Sequence, residues 1–140
     1  MQLRIKKLHP DATLPQFAHA TDAGLDLFTQ EDVTIASGER VSVPTGIAVQ
    51  IPAGYVGLIW DKSGIAQKGG LKTLGGVIDA DYRGEVFVGL LNISAEPYQF
   101  TRGQKIAQML IQKVEHPEII EVTELDETAR GEGAFGSTGK

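Results

Sequence analysis

The 140-residue sequence predicts one domain of the all-β class, a β-sandwich or barrel with one short helix. Short apolar runs recur along the chain, and turn residues separate them. Glycine accounts for 17 of the 140 residues and aromatic residues for only 6%. This composition favours many tight turns over a helical bundle. A chain of this length can bury a hydrophobic core of its own.

The predicted strands follow one another from Val33 onward. Val33–Ile35 alternates with polar neighbours, and so do the runs at 41–43 and 47–51. Pro44-Thr45-Gly46 and Pro52-Ala53-Gly54 are typical of turns, and we expect each of them to end a strand. Three apolar runs predict more deeply buried strands: Val56–Trp60, Val86–Leu91 and Ile106–Ile111.

One window, Ser63 to Lys68, is typical of a helix. Serine is a preferred residue at a helix N-cap, and we expect Gly69-Gly70 to end the helix. Since the window spans barely two turns, tertiary contacts rather than intrinsic propensity must stabilise it.

The most informative segment is GGVIDADYRGEV, Gly75 to Val86. Val77-Ile78 and Glu85-Val86 have strand-like composition, so we expect a β-hairpin with Asp79 and Tyr82 at its tip. Exposed carboxylates and backbone amides at such a tip can hold a polar ligand and present a base to it. Asp and Gly are also common in turns without any function. From these residues alone, a binding site and a plain turn both remain open.

Composition excludes several classes of function. The formal net charge of −5 argues against sequence-independent binding of nucleic acid, which requires a basic surface. The absence of cysteine rules out disulfides and thiolate metal sites. The three histidines, His9, His19 and His116, show no metal-ligand spacing, so we expect them on the surface. No window has the length and apolarity of a signal peptide or a membrane span, which predicts a cytoplasmic protein without membrane contact.

Polar residues at three places in the sequence require binding partners. Lys62 and Ser63 open the predicted helix, where free amides and the helix dipole favour an anion, although capping alone explains Ser63. Asp26 lies between two leucines, so its carboxylate needs a partner cation. Gln108 lies in an apolar strand, where its amide must find hydrogen bonds.

The C-terminal residues form a glycine-rich segment that follows an acidic, linker-like region beginning near His116-Pro117. Arg130, Ser137, Thr138 and several glycine amides can fold over an anion, with Phe135 as a stacking lid. The alternative is a disordered terminus without a function. We therefore predict a β-barrel domain over residues 1–129 and a flexible arm of the same domain over residues 130–140.

Taken in order, five segments closely resemble the five motifs of the trimeric dUTP pyrophosphatases (dUTPases). They are ATDAGLDL, DKSGIA, GGVIDADYRGEV, GQKIAQ and RGEGAFGSTG, which together span residues 20–139. The resemblance implies a distorted jelly-roll β-barrel and a homotrimer in which the C-terminal arm completes a neighbour's site. It also implies Mg²⁺-assisted attack of water on the α-phosphorus of dUTP, giving dUMP and pyrophosphate. That reaction would lower dUTP and supply dUMP for dTMP synthesis.

The same resemblance implies a role for each site residue. Asp79 matches the catalytic base, Tyr82 the residue that packs under the deoxyribose, and Asp26 a supporting aspartate. The backbone of Gly76, Val77 and Ile78 matches the part that reads uracil, and Phe135 the aromatic ring that caps it. The remaining substrate-binding positions are Lys62, Ser63, Gly64, Gln108, Arg130, Gly136, Ser137 and Thr138. No side chain is implied as a direct metal ligand, because the substrate phosphates and waters hold Mg²⁺ in the family.

Two positions depart from the family pattern. Lys62 stands where arginine is usual, and lysine lacks the planar fork that grips two phosphate oxygens. We therefore expect weaker or differently oriented phosphate binding, by about 1 kcal/mol. Ala134 stands where glycine is usual, which matters only if the position requires a positive φ.

Two other functions compete with dUTP hydrolysis. One is a non-catalytic or regulatory nucleotide-binding trimer of the same fold, which the presence of Asp79, Tyr82, Arg130 and Phe135 disfavours. The other is a dCTP deaminase-like enzyme. Its glutamate base and its different hairpin are both missing from the third segment.

Overall fold

The computed structural model of the chain describes residues 1–129 and 131–133. The predictions for Arg130 and for Ala134 to Thr138, and most of the predicted arm, lie outside the described residues. The described part contains ten strands and one helix. Their bounds are β1 Arg4–Lys7, β2 Leu25–Phe28, β3 Val33–Ile35, β4 Arg40–Gln50, β5 Tyr55–Trp60, α1 Ser63–Gly69, β6 Leu71–Leu74, β7 Val77–Ile78, β8 Glu85–Asn92, β9 Tyr98–Phe100 and β10 Lys105–Lys113.

Two four-stranded antiparallel sheets contain most of these strands. The first has the order β1-β4-β8-β6 and the second the order β2-β10-β5-β7, while β3 and β9 form a separate two-stranded ribbon. This architecture confirms the prediction of an all-β fold with one short helix, in the jelly-roll class.

The hydrophobic core takes side chains from both sheets. In β8, buried residues alternate with more exposed ones, as expected for a strand with one face toward a core. Its Val86 and Val88 belong to the same cluster as Leu27, Ile106 and Met109 of the second sheet. The two sheets therefore share one core, and the edges of the sheets are where functional side chains can reach solvent.

The turn predicted at Pro44 to Gly46 lies inside a strand. β4 continues through it, with a register shift between Pro44 and Ala48 against β8 and a φ of +69° at Gly46. These are the features of a β-bulge, in which proline and glycine bend a strand without ending it. The prediction that β4 ends there was wrong. Pro52 to Gly54 does form a turn, in which Tyr55 N–H donates to the carbonyl of Pro52.

Helix α1 matches the predicted window but not the predicted cap. Lys62, with an extended backbone, is the N-cap residue and makes no side-chain capping bond, so the prediction of Ser63 as the cap was wrong. Gly70 ends the helix with a φ of +67°, as the glycine pair indicated. Among the described residues, no helix has the length and apolarity needed to cross a membrane.

The segment from Gly75 to Val86 connects the two sheets. β7 pairs with β5, joining Gly57 to Ile78 and Leu58 to Val77, whereas β8 pairs with β4 and β6. The predicted hairpin pairing between the flanks of this segment was therefore wrong. Residues 79–84 form a crossing loop, closed by a hydrogen bond from Tyr82 N–H to the carbonyl of Asp79.

Candidate active site

Asp26 of β2 is the buried centre of a group of charges. Its side chain is only 3% exposed. Lys62 Nζ contacts Oδ1, and Lys105 Nζ lies 2.7 Å from Oδ2. The predicted partner cation is confirmed, and the structure supplies two. Burial acts to raise the pKa of Asp26, but the ammonium groups of Lys105 and Lys62 outweigh it and hold that pKa below its usual range.

The two lysines leave this group positive and open to solvent. Their side chains are 27% exposed for Lys62 and 41% for Lys105. Two ammonium groups face one carboxylate, which leaves one positive charge in excess. Such a site attracts an anion, although Lys62 would have to share its ammonium between that anion and Asp26.

Gln108 joins this group from the strand between β2 and β5. In β10 it lies opposite Asp26 on one side and Trp60 on the other. Its Nε2 donates to the carbonyl of Asp61 over 2.8 Å, which provides the hydrogen bond that the sequence demanded. An added Cβ on Gly24 would lie 2.5 Å from the Gln108 Oε1. Glycine is therefore required there for the amide to reach this position.

Ser63 and Gly64 follow Lys62 in the exposed first turn of α1. Among the described residues no side chain caps the start of α1, so the amides of this first turn are available to a ligand next to the Ser63 hydroxyl. The structure thus brings five of the predicted positions to one end of the second sheet: Asp26, Lys62, Ser63, Gly64 and Gln108.

A second group lies along β7 and the crossing loop. Gly76 has a φ of +111°, and its carbonyl accepts a 2.8 Å hydrogen bond from Ile59 N–H. A Cβ added there would lie 2.9 Å from the Ile59 Cβ. Glycine therefore allows the backbone of Gly76 to approach β5 closely, next to Val77 and Ile78.

Asp79 and Tyr82 lie in the crossing loop with exposed side chains. The Tyr82 hydroxyl donates to the carbonyl of Glu85 over 2.8 Å. Arg83 Nη1 donates to the carbonyls of Ala80 and Tyr82 at 2.8 and 2.7 Å. These bonds brace the loop and hold the Tyr82 hydroxyl in place.

A cavity of about 190 Å³ opens between β5, β6 and the start of β7. It is lined by Leu58, Ile59, Trp60, Lys72, Thr73, Gly75, Gly76 and Val77. Pockets for drug-sized ligands enclose about 300–1,000 Å³. The cavity therefore has room for a single heterocyclic ring. Enclosing a whole nucleotide would require additional lining residues from elsewhere.

Comparison with known proteins places this arrangement in a family. The family model described as dUTPase matches residues 10–139. The chain belongs to the dUTPase family. The deoxyuridine 5'-triphosphate nucleotidohydrolase of Thermobifida fusca is 50% identical over 142 residues, covering 99% of this chain and 79% of that protein. The protein of the same name from Mycolicibacterium gilvum is 48% identical and covers 98% of this chain and 94% of its own length.

Solved dUTPase structures have the same fold. A mutant dUTPase of Staphylococcus bacteriophage 80alpha with dUpNHpp gives a TM-score of 0.94 at 32% identity, covering 99% of both chains. A mutant dUTPase from phage phi11 of S. aureus gives 0.83 at 31% identity, covering 89% of this chain and 98% of that one. That structure is described as showing how a structural Mg(II) ion is coordinated.

The structure of this dUTPase also shows polar contacts that the sequence did not reveal. Asp61 Oδ1 accepts the backbone N–H of Thr73 at 2.7 Å and its hydroxyl at 2.8 Å, while Lys72 Nζ pairs with Oδ2. Burial acts to raise the pKa of Asp61, but Lys72 and Thr73 outweigh it and lower that pKa below its usual range. The one signal in the sequence was the carboxylate of Asp61 directly before Lys62. No local sequence pattern predicts its contact with Thr73, twelve residues further along the chain.

No cluster of three His, Cys, Asp or Glu side chains that could hold a metal ion lies within the described part of this dUTPase. The histidines His9, His19 and His116 are exposed, as expected.

Proposed function

We propose that this chain hydrolyses dUTP to dUMP and pyrophosphate by attack of water on the α-phosphorus. Family membership supports the reaction, and one structural observation supports the assignment of residues. Gly76 and Val77 line the cavity sized for one ring, and the chain leads from them within two residues to Asp79 in the crossing loop. In a cell the reaction would lower dUTP and supply dUMP for dTMP synthesis, and we propose a cytoplasmic location for it.

The cavity would take the uracil ring. Gly76 and Val77 line one wall and Ile78 follows them on β7, and backbone groups of these three residues would pair with the polar edge of the base. Tyr82 is partly exposed, with its hydroxyl held by Glu85, so its ring face can pack under the deoxyribose. A ring pressed against the sugar would leave little room for the 2′-hydroxyl of a ribonucleotide.

Asp79 would act as the general base. Its exposed carboxylate would take a proton from water as the water oxygen bonds to the α-phosphorus. The bond from that phosphorus to the bridging oxygen then breaks, and pyrophosphate leaves with the electron pair. When bound, Mg²⁺ neutralises negative charge on the phosphates, and it is commonly held by phosphates and waters with few protein ligands.

The phosphates would bind at the positive end of the second sheet. Lys62, Ser63, Gly64 and Gln108 would contact them, and Asp26 would hold Lys62 in place. Arg130, Gly136, Ser137 and Thr138 of the proposed arm would add contacts, and Phe135 would cap the uracil.

We further propose that the active enzyme is a homotrimer in which the arm completes a neighbour's site. Ile119 and Leu125 are 95% and 86% exposed, in a segment without secondary structure, and Ile120 and Val122 are exposed as well. Apolar side chains so exposed along one segment are typical of an interface. A second copy would cover them and supply the walls that the small cavity lacks. Light scattering at several concentrations tests this, and a purely monomeric species would contradict it.

Product chromatography tests the function. The protein is incubated with Mg²⁺ and with each deoxynucleoside triphosphate and UTP. We expect selective conversion of dUTP to dUMP, abolished by Asp79→Asn and retained by Asp81→Asn, a matched change two residues away. Equal turnover of dTTP or UTP would reject the specificity, and ammonia release from dCTP would indicate a deaminase. Binding of dUTP without any product would favour a regulatory nucleotide-binding protein.

A further inference from the structure

Thr73 of β6 lines the same cavity, and the direction of its hydroxyl proton is determined by Asp61. The hydroxyl donates to Asp61 Oδ1 over 2.8 Å, and the same oxygen accepts the Thr73 backbone N–H at 2.7 Å. A threonine hydroxyl has one proton and two lone pairs. With its proton committed to Asp61, Oγ1 can only accept a hydrogen bond from a ligand.

Asp61 is well placed to impose this direction. Lys72 pairs with its second carboxylate oxygen, and Gln108 Nε2 binds its carbonyl at 2.8 Å. The lowered pKa of Asp61 agrees with a carboxylate that stays ionised and therefore accepts but never donates. The hydroxyl proton of Thr73 therefore points to Asp61 and not into the cavity.

We propose that Thr73 is a specificity-determining residue of the base site, and that Asp61 is the positioning residue that makes its hydroxyl an acceptor. An acceptor facing the base favours uracil, whose N3 carries a hydrogen, over cytosine, whose N3 carries a lone pair. With cytosine in the cavity, the lone pair of its N3 would face a lone pair of the Thr73 hydroxyl, and neither atom would have a hydrogen-bond donor. This inference rests on the proposed function, because it requires that the cavity hold the base of a deoxynucleotide.

Trp60 gives a binding assay that does not depend on turnover. It is the only tryptophan of the sequence and lines the same cavity. Its fluorescence is titrated with dUMP and, separately, with dCMP. For the unmodified protein we expect dCMP to bind about tenfold more weakly, since one well-made hydrogen bond is worth up to roughly a factor of ten.

Thr73→Val removes the hydroxyl but keeps the shape and the strand propensity. We expect dUMP to bind about tenfold more weakly in this variant and the preference over dCMP to fall by a similar factor. With dUTP, KM should rise while kcat changes little, because the lost bond serves ground state and transition state alike. Thr73→Ser keeps the hydroxyl and should restore both affinity and preference. Thr34→Val, on the exposed face of β3, is the matched control and should change neither.

Changes at Asp61 separate the role of its oxygen from that of its charge. Asp61→Asn keeps an oxygen for the two Thr73 donors, and the partly exposed Lys72 can turn into water, so the base preference should persist. Asp61→Ala frees the hydroxyl to rotate, and dCMP should then bind several-fold more tightly than to the unmodified protein.

The outcomes distinguish this inference from the function on which it rests. If the unmodified protein hydrolyses dUTP and binds dUMP but Thr73→Val keeps the full preference, the inference is overturned and the function stands. Loss of preference in Thr73→Ser would also overturn it, because the hydroxyl is still present. If the unmodified protein neither hydrolyses dUTP nor binds dUMP, the proposed function itself fails.

Discussion

Replacing Asp26 with asparagine removes one negative charge from a site that is 2% exposed. Asparagine matches the shape of the carboxylate, so no cavity forms, but two ammonium groups then face a neutral amide. Breaking a fully buried ion pair costs about 3–5 kcal/mol. The Lys62 and Lys105 side chains are 27% and 41% exposed, so each can turn into water, which reduces the cost. We expect the free energy of unfolding to fall by about 1–3 kcal/mol, the scale of a hydrogen bond to a charged group.

Urea unfolding of both proteins over a range of pH tests whether the charge is responsible. Because folding lowers the pKa of Asp26, its contribution is complete above the unfolded pKa of about 3.9 and is lost as pH falls through the folded pKa. The difference between the two unfolding free energies should therefore be constant from about pH 7 to pH 5 and shrink in more acidic solution. Asp61 also has a lowered pKa, but it is present in both proteins and cancels in the difference.

Two controls make the result decisive. Asp81→Asn, in an exposed position, should change the free energy of unfolding by less than about 0.5 kcal/mol. All samples need the same protein concentration, since assembly would raise the apparent stability by mass action. A difference for Asp26→Asn that is as large in acid as at neutral pH would refute the reasoning, because the variant would then act through packing.

Three other changes test separate parts of the molecule. Asn92→Ala removes a fully buried amide that donates to the carbonyls of Ile35 and Glu96 at 2.9 and 2.8 Å; urea unfolding should show a loss of about 2–4 kcal/mol, and a loss under 1 kcal/mol would contradict the network. Gly76→Ala places a Cβ against β5 at a φ of +111°; dUMP binding followed by Trp60 fluorescence should weaken by about tenfold or more, whereas unchanged binding would remove Gly76 from the base site. Lys62→Arg restores a planar fork and should raise kcat/KM by up to about tenfold, while a clear drop would mean that lysine is the better residue here.

The sequence predicted the long buried strands and the helix well, for a physical reason. The runs Val56–Trp60, Val86–Leu91 and Ile106–Ile111 correspond to β5, β8 and β10. Each is continuous and apolar but too short for a buried helix, so only one interpretation remains. The end of α1 was equally clear, because Gly70 adopts the left-handed conformation that other residues avoid.

Strand partners and bulges could not be predicted in the same way. Composition showed that Val77-Ile78 is extended, but two residues carry no information about which strand they join, and they pair with β5 rather than with β8. Pro44 and Gly46 look like a turn in isolation, yet hydrogen bonds to β8 on both sides of the bulge keep β4 continuous. Local signals specify conformation, whereas pairing is decided by tertiary contacts.

The end of β5 connects the two halves of the candidate site. The Asp61 side chain holds Thr73 at the cavity, its carbonyl holds Gln108, and the next residue, Lys62, contacts Asp26. Two successive residues thus set the position of the base cavity relative to the cationic group. A wrong base, whose N3 lone pair is repelled by the Thr73 hydroxyl, would be displaced and would shift the attached phosphates relative to both Lys62 and Asp79. Since small displacements of reacting atoms lower rates steeply, discrimination against a wrong base should appear in kcat as well as in KM.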